Sequence, residues 1–108
     1  MTAAQLKDLA FAVRKAIAVG TVAAEAHPDD AGTANLDHVY LYGLKRVRLE
    51  TLTKAGIDCT KWRSGEAGEF HLRHPFGGQG NRNYAGVQAM YKSLIADGVK
   101  CSVYYQTD

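Results

Sequence analysis

Leu6, Leu9, Ala10, Val13, Ile17 and Gly20 recur at the spacing that gathers side chains on one side of an α-helix. Lys7, Asp8, Arg14 and Lys15 fall mostly on the other side. Thr2 followed three places later by Gln5 fits a capping box. The polar stretch HPDDAGTAN at 27–35 contains Pro28 and Gly32. The pattern therefore predicts a first helix that stops near Ala26.

Residues 36–56 can be read in two ways. KRVRLETL alternates well enough for a strand, whereas LTKAGI reads as a helix end with Gly56 at a left-handed cap. A recurrence decides between them. LTKAGIDCTKW at 52–62 matches LIADGVKCSVY at 94–104, aligning Leu52 with Leu94, Gly56 with Gly98 and Cys59 with Cys101. Further back, Tyr42 aligns with Tyr84. The second copy begins as a helix, because Val87, Met90, Tyr91, Leu94 and Ile95 form a stripe at helical spacing. Both copies then read as helix, glycine stop, strand. The match reflects either an internal αβ repeat, 41–62 and 83–104, or two independent uses of one helix-to-strand joint.

Three strands follow: Ile57–Trp62, Phe70–His74 and Val99–Tyr105, the first two joined through the turn RSGEAGE. The expected fold is a small single α+β domain spanning residues 1–108, in the order helix, helix, strand, strand, helix, strand. Its three-stranded sheet would carry helices on one face. Alternation turns Ile57, Cys59, Phe70, Leu72, Val99, Cys101, Val103 and Tyr105 toward the helices. Asp58, Thr60, Trp62, Glu69, His71, Arg73, Lys100, Ser102 and Tyr104 face the other way. The helices are too few to cover both sides, so the second face is expected to be open or closed by a partner.

Composition narrows the function classes. The 108 residues carry a net charge of only +2, less than a protein living on phosphate contacts alone would usually hold. The cations concentrate in the middle of the chain, where Lys45, Arg46, Arg48 and Lys54 face only Asp37 and Glu50. No apolar run approaches the roughly 20 residues of a membrane span. Lys7 and Asp8 precede the first apolar part and Arg14 and Lys15 interrupt it, which argues against a signal peptide. Two cysteines are too few for a disulfide framework, so a cytoplasmic protein with reduced thiols is expected.

Candidate chemistry is sparse. HPFGGQGNRN at 74–83 places Gly77, Gly78 and Gly80 before a helix start, with Asn81 or Asn83 as its cap and Arg82 beside it. Such a loop could offer backbone N–H groups and a guanidinium to a phosphate or carboxylate. It lacks the Lys-Ser/Thr ending of a phosphate-binding P-loop, and a connector is the plainer reading. His71 and His74 project to opposite faces of a strand and cannot share a metal there. His27 and His38 have no acidic or cysteine partner at ligand spacing. Cys59 and Cys101 read as small buried groups that would touch if their strands were neighbours. No two carboxylates are forced together for acid–base work. No catalytic residue, metal or cofactor is therefore expected.

The open sheet face is the leading candidate. It would bring Trp62, His71, Arg73, Lys100 and Tyr104 together, a mixture that anchors protein partners and also stacks nucleobases. The first expectation is a non-enzymatic binding or inhibitor protein that occludes a site on a protein or ribonucleoprotein. A single-stranded nucleic-acid-binding module and a nucleotide- or phosphate-binding protein or enzyme using residues 77–83 are the alternatives, and self-association through the same face is a further outcome. In scale and in its lack of motifs the chain is similar to compact accessory proteins of phages and other mobile elements, anti-CRISPRs among them. That analogy of type fixes no residue.

Overall fold

The computed structural model of the chain describes residues 1–27, 35–61, 68–76 and 80–106. Trp62, Gly77, Gly78 and most of the turn expected at 63–69 lie outside these residues. The order is α1 (Ala3–Glu25), β1 (His38–Leu41), α2 (Leu49–Lys54), β2 (Cys59–Lys61), β3 (Phe70–Leu72), α3 (Gly80–Ala96) and β4 (Cys101–Tyr104). The protein is α+β, with helices and one antiparallel sheet. The sheet has four strands rather than three, in the order β2-β3-β1-β4. From β1 onward this succession is a split βαβ arrangement, preceded by one long helix.

The strand absent from the sequence reading is β1, and it is central. It pairs Tyr40 with His71 of β3 on one side and Tyr40 with Ser102 of β4 on the other. It spans four residues, too few for its alternation to stand out against the longer helical signal that follows. The helix expected before Gly56, within the ambiguous segment 36–56, takes up only six residues, because Gly43 and Arg46 take positive φ (78° and 68°) and keep the chain in a turn until Leu49. The other strands keep their places, at Cys59–Lys61, Phe70–Leu72 and Cys101–Tyr104.

The helix ends explain the recurrence at a spacing of 42. After α2, Gly56 (φ 91°) donates to Thr53 O and Ile57 to Leu52 O, both at 3.0 Å. After α3, Gly98 (φ 75°) donates to Ile95 O and Val99 to Leu94 O, again at 3.0 Å. Each is a Schellman motif, which needs a glycine at its left-handed position and an apolar residue next to it. Each then delivers a buried cysteine as the first residue of a strand. The likeness belongs to this joint, since Tyr42 lies just past β1 whereas Tyr84 lies within α3.

One apolar core lies behind the sheet. Val39, Leu41, Cys59, Phe70, Leu72 and Cys101 supply the strand side, and Val87, Met90 and Leu94 the α3 side. α3 packs on β1 and β4, α2 on β2, and α1 along α3. The Thr2–Gln5 capping box is formed in both directions. α1 buries mainly small residues, Ala10, Ala12, Ala16, Gly20 and Ala24, which allows α3 a close approach. A Cβ on Gly20 would stand 2.6 Å from Met90 Cγ and 2.8 Å from Gly86 O, and one on Gly86 would strike the Phe76 ring. Cys59 and Cys101 stand on opposite edge strands, opposite Leu72 and Leu41, so the two thiols do not meet. Among the described residues no helix is long and apolar enough to cross a membrane.

Candidate functional site

Register and alternation fix which side chains share the front of the sheet, away from the helices. Across its middle run Ser102, Tyr40, His71 and Thr60, partners in the four-strand ladder. The row toward one end holds Tyr104 and His38, which are also paired, with Arg73 and Asp58 continuing the alternation of β3 and β2. Toward the other end lie Lys100 and Tyr42, bridged by the Tyr42 N–H donating to Lys100 O at 3.2 Å, and Glu69 beyond them. Of the five residues expected on this face, His71, Arg73, Lys100 and Tyr104 are brought together here. Trp62 falls outside the described residues.

The sequence reading missed His38, Tyr40 and Tyr42, the central column of the face. Their signal is the run His-Val-Tyr-Leu-Tyr, in which every second residue carries a ring and the intervening Val39 and Leu41 are buried.

The rings form one connected layer. Tyr40 stacks on His71 with centroids 5.1 Å apart and planes 17° apart. His38 stacks on Tyr104 at 5.2 Å and 25°, and Tyr104 meets His71 edge-on at 5.6 Å. Tyr42, 46% exposed, extends the layer from Tyr40 at 6.5 Å. His71 sits beneath its neighbours at 3% exposure, although no helix among the described residues covers this side.

The imidazoles are joined. His38 Nε2 and His71 Nδ1 share a hydrogen across 2.6 Å. His38 Nδ1 lies 3.0 Å from Leu36 O, and His71 Nε2 lies 3.5 Å from Glu69 Oε1. Burial above all, and the charge of a protonated His38, hold His71 below the usual histidine value, while Glu69 pulls the other way. Arg73 reaches Asp58 at 3.3 Å, both about two-thirds exposed, so solvent screens this pair.

Beside this row is a hollow of about 440 Å³ lined by His38, Thr60, His71, Arg73, His74 and Asn83, among others. Its floor is internally bonded. Asn83 Nδ2 donates to Asn35 Oδ1 (2.8 Å), Asn35 O (3.0 Å) and Asp37 O (3.2 Å), and its Oδ1 accepts from His74 Nε2 at 2.8 Å. Asp37 Oδ1 accepts the Gln106 N–H at 2.8 Å. His74 also stacks on Phe76, and burial lowers its pKa. A second hollow, about 760 Å³, opens at the other end between α1 and the turn after β1, with Tyr42 and Lys100 on its margin.

The glycine loop is altered by the structure. Gly77 and Gly78 lie outside the described residues, and Gly80 is already the first residue of α3. Asn81 and Asn83 are therefore inside the helix and do not cap it, and the Asn83 amide is consumed by the bonds just given. Asn81 is exposed and Arg82 half-buried, its Nε making no hydrogen bond among the described residues.

Elsewhere the chemistry is quiet. Burial pushes both thiols up to about 11, with Asp58 adding to the effect at Cys59, so neither supplies a thiolate near neutral pH. Among the described residues no three histidines, cysteines or carboxylates converge on a metal position. No protein-family model matches the chain, and neither a curated protein nor a solved structure is significantly similar to it.

Proposed function

We propose that the front of the sheet is a docking surface for another protein, and that the molecule acts by occluding that partner's own site. The observation that carries this reading is a layer of three tyrosines and a histidine pair gathered on the side of the sheet that no helix among the described residues covers. Rings of this kind bury large areas at low entropic cost and anchor interfaces. Arg73 and Lys100 lie at opposite ends of the layer, where rim charges set orientation. Trp62 follows β2 directly in the chain and remains a candidate anchor by residue type.

Charge favours a protein over a nucleic acid as the occupant. Among the described residues of this face Arg73 and Lys100 are balanced in number by Asp58 and Glu69, which gives a phosphate backbone no positive excess there. Capture from native cell extract followed by partner identification tests the reading. The double variant Arg73→Ala with Tyr104→Ala, folded by circular dichroism, should lose the captured protein. Undiminished capture by that variant would remove the surface from consideration.

A second reading has its own support. A four-stranded antiparallel sheet with helices behind and rings on its central strands is the arrangement that sheet-based RNA readers use to stack bases. Binding to a single-stranded oligonucleotide at low salt, falling steeply as salt rises, would favour it over protein docking.

A further inference from the structure

The larger hollow lies between α1 and the turn after β1. Its volume of about 760 Å³ falls within the roughly 300–1,000 Å³ of small-molecule sites. Leu9, Ala12 and Leu41 are its buried lining, and Leu44, Val47 and Val99 line it while packing on the core. The turn that walls it is fastened. The Tyr42 N–H donates to Lys100 O at 3.2 Å, the Leu44 N–H to Gly68 O at 3.1 Å and the Val47 N–H to Leu44 O at 3.1 Å. Gly68 presses so close that a Cβ there would stand 2.6 Å from the backbone nitrogen of Lys45. The wall is therefore set before anything binds.

Its charged side chains are divided unequally. Lys15 and Asp97 are taken up by each other at 3.3 Å. Lys45 and Lys100 are both exposed, and among the described residues neither ammonium enters an ion pair. Asp8 on α1 is the other acidic side chain among the described lining residues, which leaves one positive charge in excess. The Lys100 stem lies along Gly43: a Cβ on that glycine would stand 3.2 Å from Lys100 Cδ and 3.9 Å from Nζ. Gly43 has φ 78° and itself lines the hollow, so a backbone that favours glycine also leaves the lysine room to lie flat. The Lys100 ammonium is thereby kept at the turn that carries Lys45.

We propose that this hollow binds a small apolar molecule ending in one carboxylate, its body against Leu9, Leu41 and Val99 and its carboxylate held by Lys45 and Lys100. The apolar lining accounts for a body that leaves water. The single surplus charge accounts for one negative charge, and Asp8 opposes a second. The cations are lysines, which hold a charge without the fork that arginine offers a phosphate, and no arginine is among the described lining residues. Tyr42 adds a hydroxyl to the same rim. This site goes beyond the docking reading and needs no protein partner, although it shares Tyr42 and Lys100 with the docking face.

Backbone amide ¹H–¹⁵N spectra of the full chain, titrated with decanoate, test the site. Decyltrimethylammonium, with an alkyl chain of the same length and the opposite charge, is the comparison. Decanoate should give saturable shifts at Gly43, Leu44, Gly98 and Val99, and should bind at least about threefold tighter than the cation. The double variant Lys45→Gln with Lys100→Gln changes two exposed positions and should stay folded. It should weaken decanoate at least about threefold, the scale of losing two solvent-screened charge contacts. Lys92→Gln, which removes an exposed cation outside the hollow, should leave decanoate binding unchanged. Absence of saturation, shifts centred elsewhere, equal binding of the two head groups, undiminished binding by the double variant, or an equal loss in Lys92→Gln would each overturn the proposal. The capture experiment decides the docking reading separately.

Discussion

The two sides of the sheet use the same strands to opposite ends. The back is apolar, and the helices behind it pack so closely that a Cβ on Gly20 or Gly86 would press on Met90, Gly86 O or the Phe76 ring. The front is built of rings and hydroxyls, half-buried except for buried His71 and exposed Tyr42, with its charges at the margin. Residues two apart on one strand share a face, so Phe70 and Leu72 belong to the core while His71 between them belongs to the surface layer. All three are equally buried, so burial alone does not separate the residues that hold the fold from those that display a surface. What separates them is what they touch.

The contrast can be broken most severely at Phe70. Phe70→Ala removes a fully buried ring and should cost about 3–5 kcal/mol in urea unfolding. On the front, Arg73→Ala removes a solvent-screened ion pair and should stay within about 0.5 kcal/mol of the parent. Equal losses for the two would show that the faces are not distinct in the way described.

Gly86→Ala tests the closeness of the helix layer rather than its hydrophobicity. The added methyl meets the Phe76 ring, which is itself wedged near Gly20 and stacked on His74. A loss of about 1–3 kcal/mol is expected, with the companion change Phe76→Leu recovering part of it. A neutral Gly86→Ala would mean that the Phe76 ring is not held against α3 as described.

The smallest effect concerns pH. Burial lowers the folded-state pKa of both His71 and His74, so between that value and the unfolded one the unfolded chain binds more protons. Their contribution is fully present above the unfolded histidine value of about 6.5 and is lost as pH falls toward the folded value. Thermal unfolding should drop by a few degrees between pH 7.5 and 5.5. His74→Gln, which lacks one of the two titrating groups, should drop less.

Much of this architecture was legible from residue types. The capping box of α1, the glycine stops of α2 and α3, and the facing of β2, β3 and β4 follow from local rules that act over a few residues. β1 was not legible, because four residues give periodicity little length to register and the recurrence drew the segment toward helix. With β1 went the central column of the front face and the His38–His71 contact, which joins residues 33 apart in sequence. Asn83 shows the same limit. An asparagine near a helix start is a cap by type, and only the approach of Asn35, Asp37 and His74 from elsewhere turns it inward.

That inward amide has a consequence for how the molecule loosens. It fastens the lead-in to β1, the segment leaving β3 and the first turn of α3, and Asp37 extends the knot to the segment leaving β4. Four stretches of backbone that are far apart in the chain are thereby made to breathe together, so one end of the module opens as a block or stays shut.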